Sequence, residues 1–415
     1  MSLLNINFPR LQNDIDSLAA IGRHDDDHGI YRMAFSEHDI QAHDWLKSRI
    51  EEAGLDYYLD EAANIHARLN WDGERPSVMT GSHIDSVPGA GHLDGALGVM
   101  AGLECLRCLK ERGESLPFAL ECVAFSDEEG RFGGMLGSQA MSGRLTPELI
   151  HNAKDLDGHA LIDVMEGLGM APLNILRAHR QPESIHAFVE LHIEQGPVLE
   201  QQNMCIGAVD AISGLLRWNI RLLGEANHAG TTPMNMRKDP LQGFAEISSA
   251  LPRLLEENGS PRSTATVGYI HCFPGAANVV PGRVEFSLDM RDTDMQILDE
   301  LGHAFRKAMS AIARRHDLMF EFEEVSRLDA ASCDPGIVDS ISHICREFGY
   351  HSMQMHSGAA HDSMMMASIA RTAMIFVPSM GGRSHSPAEW TPWEEIEKGA
   401  NVLLNTLYRL ASEAA

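Results

Sequence analysis

Residues Thr80 to Glu104 read TGSHIDSVPGAGHLDGALGVMAGLE. A short apolar run, Ser77 to Thr80, ends in Gly81-Ser82-His83-Ile84-Asp85. After a Pro/Gly-rich turn, His92-Leu93-Asp94-Gly95 opens a segment whose apolar residues recur at helical spacing. Imidazole and carboxylate groups therefore stand where a strand ends and where a helix begins. Open α/β sheets put their chemistry in such loops, and both groups are common zinc ligands. Alone, the stretch is half a metal site.

The rest of the chain repeats the pattern. Phe118 to Phe125 (FALECVAF) reads as a buried strand and ends in Ser126-Asp127-Glu128-Glu129-Gly130; Ile185 to Leu191 (IHAFVEL) reads as another and ends in His192-Ile193-Glu194-Gln195. A strand near Thr372 to Pro378 leads to a loop carrying Ser384-His385-Ser386-Pro387. Any one of these histidines taken singly suits a core position; ligand types at four strand ends together point to a metal centre. Neighbouring side chains of an extended segment point opposite ways, so one of Glu128 and Glu129 can hold metal while the other faces a bound water. Asp85, two residues beyond His83, is placed to accept from the imidazole and orient it.

At 415 residues the chain is long for one core, and two domains are expected. Phe8 to Ala20, Ser36 to Ala53 and Ala96 to Arg112 read as helices, and Leu55 to Arg68 with Ser77 to Thr80 as the first strands. From Ser213 the character changes to β-α-β-β-α-β: strands at Leu215–Leu223, Thr264–His271, Val279–Met290 and Leu318–Val325, with helices at Pro240–Asn258 and Asp292–His316. That order fits an inserted ferredoxin-like unit. The expectation is a discontinuous α/β catalytic domain, 1–211 and 329–415, with a lid or dimerisation domain at 212–328. A helix at 336–348 and a C-terminal one, Trp393 to Glu413, complete it.

A net charge of -26 argues against nucleic-acid or anionic-membrane partners. The seven cysteines are odd in number and scattered, which fits buried thiols in a reducing cytosol. Cys105 and Cys108 form a CxxC inside the helical pattern, where core packing explains them. No signal peptide and no membrane-spanning run are evident, so a cytoplasmic location is expected. His24-Asp25-Asp26-Asp27-His28 reads as a solvated loop.

GSHIDSVPGAGHLDG, FSDEEGRFGG, ELHIEQGPVLE, GEANHAGTTPM, GAANVVPGRVEFSLDMRD, MHSGAAHD and SHSPAE, in that order, resemble the two-zinc amidohydrolases related to the zinc aminoacylases and carboxypeptidases. The chain is most similar to the hydantoinase/carbamoylase group: N-carbamoyl-L-amino acid hydrolase, allantoate amidohydrolase and β-ureidopropionase. His192, where the peptidase branches carry an acidic ligand, points to that group.

The resemblance implies a mixed-sheet, di-zinc aminopeptidase-like domain with two divalent ions: zinc first, with manganese, cobalt or nickel as alternatives. His83, Asp94 and His192 would hold one ion and Asp94, Glu129 and His385 the other, Asp94 bridging. Glu128 would be the general base with Asp85 its companion, and a cis peptide would follow Asp94. His228 would donate to the scissile carbonyl across a homodimer interface. Asn278 and Arg291 would grip the substrate carboxylate, with Gln195, Arg217 and Gly358 as further contacts. The implied substrate is a small ureido or acyl amino acid. A related N-acyl amino acid hydrolase or dipeptidase, and a non-catalytic binding homologue, are the competing readings; a serine hydrolase is disfavoured because no G-x-S-x-G occurs. Departures from the family pattern are His92 in the turn before Asp94, a segment after Glu129 one residue shorter than in many relatives, and Ala360 in place of a glycine.

Overall fold

The computed structural model describes residues 3–414, which divide into two compact units. The second comprises Ala211–Ala331 with His356–Ala360, and the first holds the remaining described residues. In chain order the strands are β1 Asp56–Leu59, β2 Ile65–Leu69, β3 Ser77–His83, β4 Ala119–Phe125, β5 Ile185–Ile193, β6 Ile206–Ile212, β7 Gly214–Leu223, β8 Asn227–His228, β9 Thr264–Thr266, β10 Ile270–Phe273, β11 Val279–Val280, β12 Arg283–Asp292, β13 Met319–Leu328, β14 Ala331–Ser332, β15 Ser352–Ser357 and β16 Arg371–Val377.

The main sheet has nine strands in the order β1-β2-β4-β3-β5-β16-β6-β14, with β15 also on β6. Its centre, β4-β3-β5-β16, is parallel, whereas β2 and β6 pair antiparallel at its flanks. Every residue of β3 and β4 is buried, as a parallel sheet covered on both faces requires. Helix Ala96–Arg112 packs on β3, β4 and β5, and helix Trp393–Ala411 packs on β5, β16 and that first helix. On another surface Met79, Val123, Phe125, Met141, Phe188 and Met366 form one buried cluster. Because the four central strands run the same way, their carboxyl ends share one sheet edge.

The reading of these elements holds closely where periodicity is strong. Helix Ala96–Arg112 has the expected bounds, closed by Gly113 in the left-handed conformation. Helix Glu37–Glu52 starts at Ser36, whose side chain accepts from the Asp39 amide. Strand ends differ: β3 runs on to His83 and β5 to Ile193, so the two histidines sit within their strands. The stretch expected as one strand from Leu55 to Arg68 is a hairpin. Asp60 breaks it by accepting from the amides of Ala62 and Asn64. Strands β6 and β15 escape the sequence reading, β6 because its pairing with the distant β16 makes it a strand and β15 because SMQMHS offers only two apolar residues.

The second unit holds an antiparallel sheet in the order β10-β12-β7-β13, with β9 also on β12. Together with helices Pro240–Asn258 and Met295–Arg315 this is the ferredoxin-like arrangement. Alternate residues Leu216, Trp218, Ile220 and Leu222 of β7 and Val284, Phe286, Leu288 and Met290 of β12 face one core with Leu298, Leu301, Phe305 and Met309. Two expected strands are each broken. Gly268 turns its amide to Ser287 Oγ between β9 and β10, and Pro281-Gly282 separates β11 from β12. No helix among the described residues is long and apolar enough to cross a membrane.

Gly81, in the middle of the buried strand that ends in His83, has φ 148. A Cβ there would lie 1.9 Å from the carbonyl oxygen of Val123 on β4. Gly81→Ala must therefore push β3 and β4 apart and is expected to destabilise the protein by about 3 kcal/mol, read from the denaturant midpoint.

Candidate active site

The common edge of the four parallel strands gathers the ionisable residues. His83 is the last residue of β3, Glu128 and Glu129 follow β4, His192 is the penultimate residue of β5, and His385 comes in the loop after β16. Asp94 arrives from the turn before helix Ala96–Arg112, where Gly95 at φ 63 lets the chain enter the helix directly beneath the His83 ring. The implied cis bond is not present: the Asp94–Gly95 peptide is trans, and Gly95 at positive φ makes a tight turn in which the Ala96 amide donates to the Asp94 carbonyl at 2.6 Å.

Two groups of ligand atoms, each within 4.8 Å of one another, share Asp94: His83, Asp94 and His192, then Asp94, Glu129 and His385. Asp94 Oδ1 lies 3.1 Å from His192 Nε2 and 3.7 Å from His83 Nε2. Its other oxygen lies 3.3 Å from His385 Nε2, which is itself 3.5 Å from Glu129 Oε2. His83 Nδ1 donates to the Asp85 carbonyl at 3.0 Å and His192 Nδ1 to the Ile193 carbonyl at 2.8 Å. Both bonds fix the rings through Nδ1 and turn each Nε2 toward Asp94, the orientation a metal ligand needs.

Asp85 departs from the expected role. Its backbone carbonyl takes the imidazole N–H, while its carboxylate stands 3.7 Å from Nδ1. The carboxylate instead accepts the amides of Glu128 at 3.2 Å and Glu129 at 3.1 Å. The chain turns back after His83, which brings the carbonyl to the ring and aims the side chain at the loop after β4. Asp85 thereby fixes the backbone of the glutamate pair. Glu128 lies outside both ligand groups with Oε2 3.5 Å from His83 Nε2.

Buried charge sets the proton affinities. Burial would raise Asp94, but hydrogen bonds from His192, His385 and His83 hold it well below the usual carboxylate range. Burial would lower His83 and His192, yet the surrounding acids, Glu128 foremost for His83 and Asp94 for His192, raise both. His385 is raised to about 9, chiefly by Asp94. Burial pushes Glu128 well up and Glu129 to about 7, neighbouring carboxylates adding to both.

Residues that the motifs contained but the reading left unassigned complete the site. Glu389, 2 % exposed, accepts the amides of Leu93 at 2.8 Å and Asp94 at 3.1 Å through Oε1. Ser384, read as an ordinary loop residue, donates to Asp94 Oδ2 and lies 3.2 Å from Glu389 Oε2. Gln195, expected as a substrate contact, donates to Asp94 Oδ2 at 2.7 Å. Behind His192, the His361 ring stands edge-on at 4.5 Å, and burial keeps it neutral, well below the ordinary histidine value. Glu190 accepts from Ser82 Oγ and from Ser363, tying β3, β5 and helix Asp362–Met366 together. Nothing in spacing marks these supports, because each acts through a partner distant in sequence.

The remaining predicted site residues lie in the second unit. His228 in β8 accepts the amides of Gly230 at 3.1 Å and Thr231 at 3.2 Å on Nδ1, which leaves Nε2 carrying the proton as an exposed donor. Asn278 offers its carbonyl to the Ala229 amide, holding the same loop. Arg217 and Arg291 both pair with Asp289, and Arg291 also donates to the carbonyl of Gly358 at 2.6 Å. Burial would raise Asp289, but Arg291 and Arg217 hold it low. Cys105 and Cys108 lie in helix Ala96–Arg112 as free thiols, and His24–His28 joins no metal-ligand group among the described residues.

The first unit's donor set of imidazole nitrogens and carboxylate oxygens suits zinc and its first-row neighbours. Glu129 Oε1 is buried with no hydrogen-bond partner among the described residues, which also fits a cation at that place.

Peptidase family M20/M25/M40 matches residues 79–409. The N-carbamoyl-L-amino acid amidohydrolase of Geobacillus stearothermophilus is 39% identical over 389 residues, covering 92% of this chain and 94% of the relative. The allantoate amidohydrolase of Escherichia coli is 35% identical, covering 92% and 93%. Among solved structures, a hydantoinase/carbamoylase family amidase from Burkholderia multivorans superposes with a TM-score of 0.91 at 34% identity, over 99% of each chain. The chain belongs to Peptidase family M20/M25/M40, in its hydantoinase/carbamoylase branch of amidohydrolases.

Ligands must shed their protons before a metal binds, and the three histidines at Asp94 hold theirs above the ordinary pH. Metal-free protein is therefore expected to release protons at pH 7 when a divalent ion is added. Affinity should fall as pH drops below about 9, where His385 titrates; calorimetry in buffers of different ionisation enthalpy measures both effects.

Proposed function

We propose that this protein is a metal-dependent amidohydrolase that cleaves the C–N bond of an N-carbamoyl-L-amino acid or a related ureido acid such as allantoate. For a carbamoyl substrate the products are ammonia, carbon dioxide and the free amino acid. The observation that carries the reading is a pair of ligand groups sharing Asp94, with Glu128 beside them but outside both.

His83, Asp94 and His192 would hold one divalent ion and Asp94, Glu129 and His385 the second. Zinc is the first choice; manganese, cobalt and nickel suit the same donors. When bound, such ions supply Lewis acidity, lowering the pKa of water and polarising the scissile carbonyl. Glu128 takes the proton from water and hands it to the leaving nitrogen. Its burial among Asp362, Glu129 and Asp85 favours carrying that proton. Asp85 holds the Glu128 and Glu129 amides, so the base and its neighbouring ligand keep their relative positions.

His228 of the partner subunit donates from Nε2 to the developing oxyanion, an interaction typically worth about 3 kcal/mol of barrier. Arg291, Arg217 and Asn278 receive the substrate carboxylate, with Gln195 and Gly358 as further contacts. Arg291 is held in place by Asp289 with its fork already oriented. Residues 212–328 act as a lid and dimerisation domain in a cytoplasmic homodimer.

Glu128→Gln keeps the shape of the side chain and removes the base. Ammonia release from N-carbamoyl-L-amino acids should fall by about 1,000-fold while the protein still binds two ions per chain by atomic emission. Free amino acid from N-acetyl or N-formyl substrates, without ammonia from any carbamoyl substrate or allantoate, would move the protein to the N-acyl amino acid hydrolases.

A further inference from the structure

The loop after β8 carries His228 and has no core of its own: from Asn227 to Met236 every residue is exposed or half-buried. Its shape therefore rests on hydrogen bonds. One end is tied by sheet pairing, His228 and Asn227 facing Val279 and Val280 of β11. The other end is tied at Lys238, whose carbonyl accepts the Glu225 amide at 3.0 Å and whose ammonium pairs with Glu225 at 2.7 Å and Asp317 at 3.2 Å. Between these ties, Arg237 reaches back across the loop. Its Nε donates to the Thr232 carbonyl at 3.0 Å and its Nη2 to the Ala229 carbonyl at 2.5 Å. This guanidinium pairs with no carboxylate among the described residues, so its charge serves the loop alone.

The bond to Ala229 bears directly on the imidazole. That carbonyl and the Gly230 N–H are the two ends of one planar peptide unit. One end accepts from Arg237, and the other donates to His228 Nδ1 at 3.1 Å. A cation on the carbonyl polarises the peptide and strengthens the N–H opposite it. That N–H, together with the Thr231 N–H at 3.2 Å, is what keeps the His228 proton on Nε2. On the other arm, Thr232 donates to the His228 carbonyl through its amide at 3.1 Å and through Oγ1 at 2.8 Å, and its own carbonyl is the second one that Arg237 holds. Arg237 thus grips both sides of the turn that carries the imidazole.

We infer that Arg237 is a positioning residue for oxyanion stabilisation, fixing the orientation and the tautomer of His228 without contacting the substrate. This role rests on the reading of His228 as the oxyanion donor. A donor aimed in advance needs no reorganisation as charge develops on the scissile carbonyl, and an exposed loop aims a side chain only when something restrains it. Arginine suits the task because its planar fork spans two carbonyls, where lysine brings a single point charge. Both residues belong to one chain, so the role holds whichever active site of the homodimer His228 serves.

The test uses the full chain loaded with metal and measures kcat and KM for ammonia release from N-carbamoyl-L-methionine. His228→Ala should lower kcat by about 100-fold. Arg237→Ala should lower it by about 30-fold with KM and bound metal unchanged, the pattern of an interaction made only in the transition state. The double variant Arg237→Ala/His228→Ala should be no slower than His228→Ala, because Arg237 acts through His228. Added guanidinium ion should return part of the lost kcat to Arg237→Ala and none to the double variant. Arg237→Lys should lose about tenfold, and it carries the same comparison if Arg237→Ala does not fold. Wild-type kcat in Arg237→Ala, a rise in KM alone, or losses that multiply in the double variant would overturn the role of Arg237. Full activity in His228→Ala would instead overturn the oxyanion reading beneath it, and no ammonia from any ureido substrate would overturn the amidohydrolase reading itself.

Discussion

One buried carboxylate organises the first unit. Asp94 faces His83 and His192 with one oxygen and His385, Gln195 and Ser384 with the other. These partners come from β3, β5 and the loops after β5 and β16, so the Asp94 position holds only if four chain segments are correctly placed at once. A carboxylate out of water is expensive unless its charge is matched. The histidines that match it also stack mutual positive charge at its two ends, with Glu128 and Glu129 opposing it. Such a cluster is an acid–base balance poised around a place for cations, and its geometry divides by oxygen into the two ligand groups.

The sheet makes this possible by direction alone. Parallel strands β4, β3, β5 and β16 end together, so residues more than a hundred positions apart reach one edge without long loops. The supports lie behind them. Glu389 holds the Leu93 and Asp94 amides, Asp85 holds those of Glu128 and Glu129, and backbone carbonyls hold the imidazoles. Acceptors thus bind the backbone around each ligand while the ligand side chain stays free for the centre. The second unit does comparable work on its own residues: the loop Asn227–Thr232 sets the His228 tautomer, and Asp289 orients two arginines.

The helices and the buried strands were legible because their signals are local. Ala96–Arg112 carries its periodicity and its Gly113 stop within its own span. FALECVAF is apolar but for Glu121, which pairs with His66, Arg68 and Arg180, because β4 is covered on both faces. The breaks at Asp60, Gly268 and Pro281-Gly282 were hidden, since a side chain or a turn interrupts runs of good strand formers there. Strand β6 was missed because its pairing with β16, about 165 residues later, is what makes it a strand.

For the site, residue types at strand ends and the ordered motifs sufficed to name His83, Asp94, Glu128, Glu129, His192 and His385, since ligand chemistry depends on which side chains are present. What they rest on required coordinates. That Asp85 grips the glutamate backbone with its carboxylate, that Asp94–Gly95 is trans, and that Glu389 and Ser384 brace Asp94 are outcomes of packing between distant segments. Sequence determined the chemistry available to this protein, because side-chain identity is a local property. Tertiary structure decided the orientation of each group and the shape of the space beside it, because hydrogen-bond partners and cavity walls are shared among residues that the chain keeps far apart.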